Sequence, residues 1–332
     1  MYNFLSSYGE ILSLLFQPSI CNFLPLAKIT RVQGLLFYLV IPFIYLISFL
    51  PFWILYRLSD LTFFFLYYLF RYRRNVVRQN IQNSFPEKTP GEINKIVKGF
   101  YHHLCDLIVE SVKTFTISKE QVVKRCRIHP ESLTLLDQLY ADKKSLILVM
   151  GHYGNWEWGG LSFSANVKHQ LFFIYKPLSN TYFDRLILKM RSRFGARLVT
   201  MNNVFKEMVN NRHIISATAF IADQAPPPES AHWTTFLNQE TPVFAGTEKI
   251  ARKLNYPVVF INIKKIRRGY YELFAELLID EPKATSEGEV SDIHTKRLEL
   301  EIVEHPEFWL WSHRRWKHKK SVARDNNLNQ TL

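Results

Sequence analysis

SLILVMGHYGNWEWGG, Ser145 to Gly160, decides the reading of this chain. Leu146-Ile147-Leu148-Val149-Met150 is an unbroken apolar run whose length and branched side chains predict a strand covered on both faces. Gly151 allows a sharp exit and His152 follows at once. Asn155 is a candidate N-cap for a helix with Glu157 in its first turn. A strand that ends in a polar turn and enters a helix is where open α/β sheets place their chemistry.

His152 and Glu157 form an HxxxxE spacing. Within a single helix the two would point well apart around the axis. With His152 in the turn and Glu157 at the helix start, the carboxylate can fold back onto the imidazole. It then fixes the tautomer and leaves the other ring nitrogen as a general base. No Ser or Cys nucleophile lies beside the pair. The expected chemistry is removal of a proton from a substrate hydroxyl, which attacks an acyl group. A pair with this spacing arises by chance roughly once in such a chain. Its place after a buried strand, beside Gly151 and Gly154, sets this one apart.

Outward from this stretch, strand patterns at 171–175, 214–222, 258–263 and 271–279 alternate with helical patterns. The helices fall at 181–194 (closed by Gly195), 246–254 and 292–303. Such alternation predicts an α/β fold with a mainly parallel or mixed sheet flanked by helices. Upstream, Thr89-Pro90-Gly91-Glu92 is a capping box that opens a helix with an apolar stripe from Ile93 to Ile108. Arg191 and Arg193 end the helix at 181–194. They read either as ordinary complements of the helix dipole or as ligands for a phosphate or an oxyanion. Asp223 and Gln224 end a strand at the same sheet edge as His152. Asp223 is expected to pair with Arg191 or Arg193, or to cap the neighbouring loop.

The chain has 332 residues and a net charge of +13. Cys21, Cys105 and Cys126 share no metal-like spacing and cannot all pair, which favours a reducing, cytosol-facing compartment. His102, His103 and Cys105 fall within an amphipathic helix, and no metal is expected. Positive charge combined with many aromatic residues points to an anionic membrane surface, and no nucleic-acid module is visible.

Residues 34–56 carry no charge and are long enough to cross a bilayer as a helix, with kinks at Pro42 and Pro51. A buried hydrophobic hairpin is the alternative. Arg57, Arg71, Arg73, Arg74 and Arg78 follow the run, and only Lys28 and Arg31 precede it closely, so the remainder is expected in the cytoplasm. The expected layout is an N-terminal extension (1–33), a membrane anchor with an interfacial segment (34–75), a cytoplasmic domain (76–320) and a disordered tail (321–332). The aromatic and basic residues of 308–320 suit headgroup contact.

Several separated motifs occur in order: RRNVVRQNIQNSFP (73–86), GHYGNWEW (151–158), Tyr175-Lys176-Pro177, Arg191 with Gly195, Ile221-Ala222-Asp223-Gln224, 242–247 with Ala251-Arg252, and PEFWLWSHRRWK (306–317). Together they resemble the bacterial lipid A biosynthesis acyltransferase family of the late-acting lauroyl/myristoyl type, within the HxxxxD/E acyltransferases. The resemblance runs from about residue 34 to about residue 319. It implies an inner-membrane enzyme that moves a fatty acyl chain from acyl carrier protein to a hydroxyl of a lipid A precursor, without metal or cofactor. The family's catalytic His and acid match His152 and Glu157. Its functional Arg falls near Arg191, with Arg193 the alternative, and its functional Asp at Asp223; Asn155, Gln224 and Lys176 join them as substrate-facing residues. Lys176 stands where the family often has Arg. Another lyso-lipid or amino-lipid acceptor, or water in an acyl hydrolase, is the alternative substrate.

Overall fold

The computed structural model describes residues 26–320. Most of the expected N-terminal extension and all of the expected tail lie outside the described residues.

Four helices come first: α1 (Leu26–Phe49), α2 (Phe52–Phe63), α3 (Arg74–Ser84) and α4 (Pro90–Lys113). A π-helical stretch, Phe64–Leu69, follows α2. The sheet region then runs α5 (Lys119–Arg125), β1 (Cys126–Ile128), α6 (Pro130–Ala141), β2 (Leu146–Met150), α7 (Trp156–Asn166) and β3 (Gln170–Tyr175). It continues with α8 (Thr181–Arg191), β4 (Arg197–Thr200), α9 (Val204–Asn210), β5 (Ser216–Ile221), β6 (Ala231–Phe236) and β7 (Gln239–Phe244). It closes with α10 (Ala245–Leu254), β8 (Val258–Arg267), β9 (Tyr270–Ile279) and α11 (Glu289–Glu304).

Local chemistry sets the helix starts. Thr89 and Glu92 exchange the two bonds of a capping box, and Pro90 occupies the first helical position, where its missing N–H costs nothing. Ser118 and Gln121 start α5 in the same way. The second half of α4 is buried almost all round, so it forms the spine between the N-terminal helices and the sheet.

Seven strands form one sheet in the order β1-β9-β8-β2-β5-β3-β4. Every neighbour pair is parallel except the β8–β9 hairpin, and β6 and β7 form a separate antiparallel pair. All five residues of β2 are buried, between β8 and β5. Helices on both faces exclude water, which is what a parallel sheet requires. The expected α/β class with a mainly parallel sheet is the observed one.

The uncharged run 34–56 corrects the expectation of a spanning helix. Among the described residues no helix is long and apolar enough to cross a membrane. The run is divided between α1 and α2, because Pro51 has no N–H to continue the ladder and disfavours helical backbone at Leu50. What forms instead is a band of helices apolar on both sides. The inner side packs on the protein: Phe37 stacks on Tyr182 and meets Phe183 edge-on, both residues of α8. On the outer side Tyr38, Phe43, Leu46, Phe49, Trp53 and Phe70 are all more than half exposed.

The aromatic-basic stretch also departs from expectation. It folds back over the sheet edge, with Trp309, Trp311 and Arg315 fully buried. Large indoles remove more apolar area from water in a core than against headgroups, provided each N–H finds an acceptor. Trp309 donates to Asp223, Trp311 to the carbonyl of Pro306 and Trp316 to Thr241.

Candidate active site

The register of β2 against β5 pairs Met150 with Ile221. Two residues beyond that pair, at the carboxyl ends of the strands, His152 and Asp223 meet. His152 Nδ1 lies 2.6 Å from Asp223 Oδ1, and the His152 backbone N–H donates to Oδ2 at 2.7 Å. The Trp309 indole N–H donates to the same Oδ2 at 2.8 Å. Nδ1 therefore carries the proton, and Nε2 has no hydrogen-bond partner among the described residues. The ring stands edge-on to Trp156. Burial raises the Asp223 carboxyl, but the charge and hydrogen bonds of His152 and the bond from Trp309 outweigh it and hold it at about 2.

The turn that carries His152 is fixed by close approach. Gly154 has φ +59°, and a Cβ there would lie 2.0 Å from the carbonyl oxygen of Ile263 in β8. Only glycine combines that backbone with that contact. The Gly154 N–H donates to the Phe308 carbonyl, which ties the turn to the C-terminal stretch.

Glu157 does not reach the imidazole as expected. Its carboxylate is held by Arg191, whose Nε lies 3.1 Å from both oxygens and whose Nη2 also donates to Oε1. The fork of a guanidinium satisfies both oxygens of a buried carboxylate, which an imidazole cannot do. The pairing of Asp223 with Arg191 or Arg193 is corrected by the same geometry. Asp223 belongs to His152, Glu157 to Arg191, and Arg193 donates to the carbonyls of Thr114 and Ile117 beyond the end of α4. Of the two arginines, Arg191 is the one that pairs with Glu157 of the HxxxxE stretch.

Asn155 is fully buried and caps α7 by accepting from the Trp158 N–H. Its amide donates to Glu110 Oε2 at 2.7 Å, so it braces the turn and faces no open surface. Glu110 also accepts from the hydroxyls of Tyr56 and Tyr271. Burial pushes its carboxyl up to about 7. Lys176 is exposed just past β3, on the same sheet edge as His152. Gln224 is half-buried, and its Nε2 lacks a partner among the described residues.

Sequence reasoning missed Glu110, Trp309 and Arg315. Glu110 left a signal, because a carboxylate three residues after Leu107 falls on the buried stripe of α4. Trp309 and Arg315 left none, since mixed aromatic and basic residues fit a surface as well as a core.

The chain belongs to the bacterial lipid A biosynthesis acyltransferase family, which it matches across residues 20–318. It is similar to the lipid A biosynthesis palmitoleoyltransferase of Escherichia coli (strain K12), 21% identical over 247 residues that cover 74% of this chain and 79% of the relative. The lipid A biosynthesis acyltransferase of Shigella flexneri is similar at the same identity and coverage.

Proposed function

We propose that this chain takes a fatty acyl group from acyl carrier protein and delivers it to a hydroxyl of a lipid A precursor, with His152 as general base. The observation that carries the reading is the imidazole itself. Nδ1 is held by buried Asp223 and Nε2 has no partner among the described residues, at the carboxyl ends of the parallel strands β2 and β5. Nε2 takes the proton of the acceptor hydroxyl, and that oxygen attacks the thioester carbonyl. The ester C–O bond forms, the C–S bond breaks, and the proton passes to the departing thiolate. Asp223 keeps the tautomer and balances the imidazolium that forms.

In this scheme Glu157 acts through Arg191, whose guanidinium it fixes for the carbonyl oxyanion or for an acceptor phosphate. Arg191→Ala separates the two roles. Loss of phosphate binding raises KM for the lipid alone, whereas loss of oxyanion stabilisation lowers kcat for every acceptor. The exposed apolar band of α1 and α2 seats the enzyme on the cytoplasmic face of the inner membrane. The band packs against α8, which ends in Arg191, so a lipid acceptor reaches the site from the bilayer side. The net positive charge favours acidic acyl carrier protein and a phosphorylated acceptor.

The test is purified protein with acyl carrier protein bearing a labelled acyl chain, with and without a lipid A precursor. Label is expected in the lipid only when the precursor is present, and His152→Ala is expected to abolish the transfer. Free fatty acid without an acceptor would make the protein a hydrolase. Near-normal transfer by folded His152→Ala would end the reading.

A further inference from the structure

Asp223 also lines a cavity of about 10 Å³, together with Met150, Phe236, His294, Leu298 and Arg315. That is room for the centre of roughly one water molecule. Arg315 is 1% exposed, and its Nε and Nη1 have no hydrogen-bond partner among the described residues. The Nε2 of buried His294 is likewise unpartnered. An unpaired guanidinium in a core is costly unless a charge and a polar contact compensate it. Both are at hand: the Asp223 carboxylate shares the cavity wall, and the void has the size of a bridging water.

We propose that Arg315 is a positioning residue for acyl transfer, the counter-charge of the His152–Asp223 pair, joined to it through one buried water. The inference rests on the reading of His152 as general base. When the imidazole is protonated the pair is neutral, and when it is free base the pair carries −1. A nearby fixed cation favours the −1 state, so Arg315 keeps the imidazole ready to accept a proton. Other groups face the pair as well. Burial pushes His294 down to about 4 and His313 down to about 3, so both are uncharged at neutral pH. Lys317 acts on His313 from further along the chain, and Glu301 of α11 is matched by Arg297. Burial lowers Arg315 itself to about 10, with Asp223 opposing the shift, and it stays charged at neutral pH.

The experiment is the pH profile of kcat/KM for acyl transfer in Arg315→Met and Arg315→Lys, with folding checked by circular dichroism. Arg315→Met is expected to move the acid limb up by about one pH unit, while Arg315→Lys leaves it near the wild-type position. A folded Arg315→Met protein that loses rate without moving the limb overturns the proposal. Should Arg315→Met fail to fold, a crystal structure of the wild type decides. An ordered water bonded to Arg315 Nε or Nη1 supports the proposal, and a dry cavity overturns it. Inactivity of His152→Ala speaks only to the general base, whereas the limb position is read in active variants, so the two failures are distinguishable.

Discussion

Asp223 and Glu110 are both buried carboxylates that accept three hydrogen bonds, yet their acidities diverge, to about 2 and about 7. The donors to Asp223 include an imidazole that can carry charge. The donors to Glu110 are two phenols and an amide, all neutral. Counting donors does not set the protonation of a buried acid; the charge of the donors does. One acid is thereby kept ionised beside His152, and the other is a brace between α2, α4, β9 and the turn that carries His152.

The sharpest way to break this comparison is to neutralise each acid in place. Asp223→Asn should lower kcat about 10²–10⁴-fold, because the tautomer and the counter-charge are both lost. Glu110→Gln should stay within about tenfold of wild type, as expected of a brace. Equal losses of turnover in the two folded variants would erase the distinction.

A second contrast is in stability against pH, read from urea midpoints. Glu110 has a folded value above its unfolded 4.5, so its stabilisation is full below pH 4.5 and is lost as pH rises through 7. The loss is on the order of 3 kcal/mol, and Glu110→Gln should flatten that slope. Asp223 has the opposite sign. Its contribution, on the order of 2 kcal/mol, is present above pH 3.8 and is lost as pH falls through 2. Asp223→Asn should remove only that acid-side loss. The smallest effect is expected from Tyr56→Phe, which removes one of the three bonds to Glu110. It should cost about 1 kcal/mol in thermal unfolding and leave kcat unchanged.

The same pair of acids shows what was legible beforehand. The buried strand, the turn, His152 and the N-cap at Asn155 follow from local pattern, because period and capping are set within a few residues. That Asp223 is the partner of His152 is not local. It depends on β5 lying next to β2 with Met150 opposite Ile221, and strand order emerges only when the whole sheet assembles. Without that order Glu157, five residues away in the chain, was the natural partner to expect. The uncharged run 34–56 misled for a related reason: a helix buried on one side and apolar on the other has the composition of one that spans.

The bond from Trp309 to Asp223 has a consequence for the making of the protein. Ribosomes add roughly 5–20 residues per second, so the apolar band emerges some ten to fifty seconds before Trp309 is polymerised. Throughout that interval the nascent chain presents its stickiest helices while its chemistry is unfinished. Strand β9, and after it the indole that completes the donors to Asp223, are synthesised after every other strand of the sheet. A chain stalled before residue 309 is therefore expected to be inert, and the finished enzyme acquires competence only after its apolar band has had time to find a lipid surface.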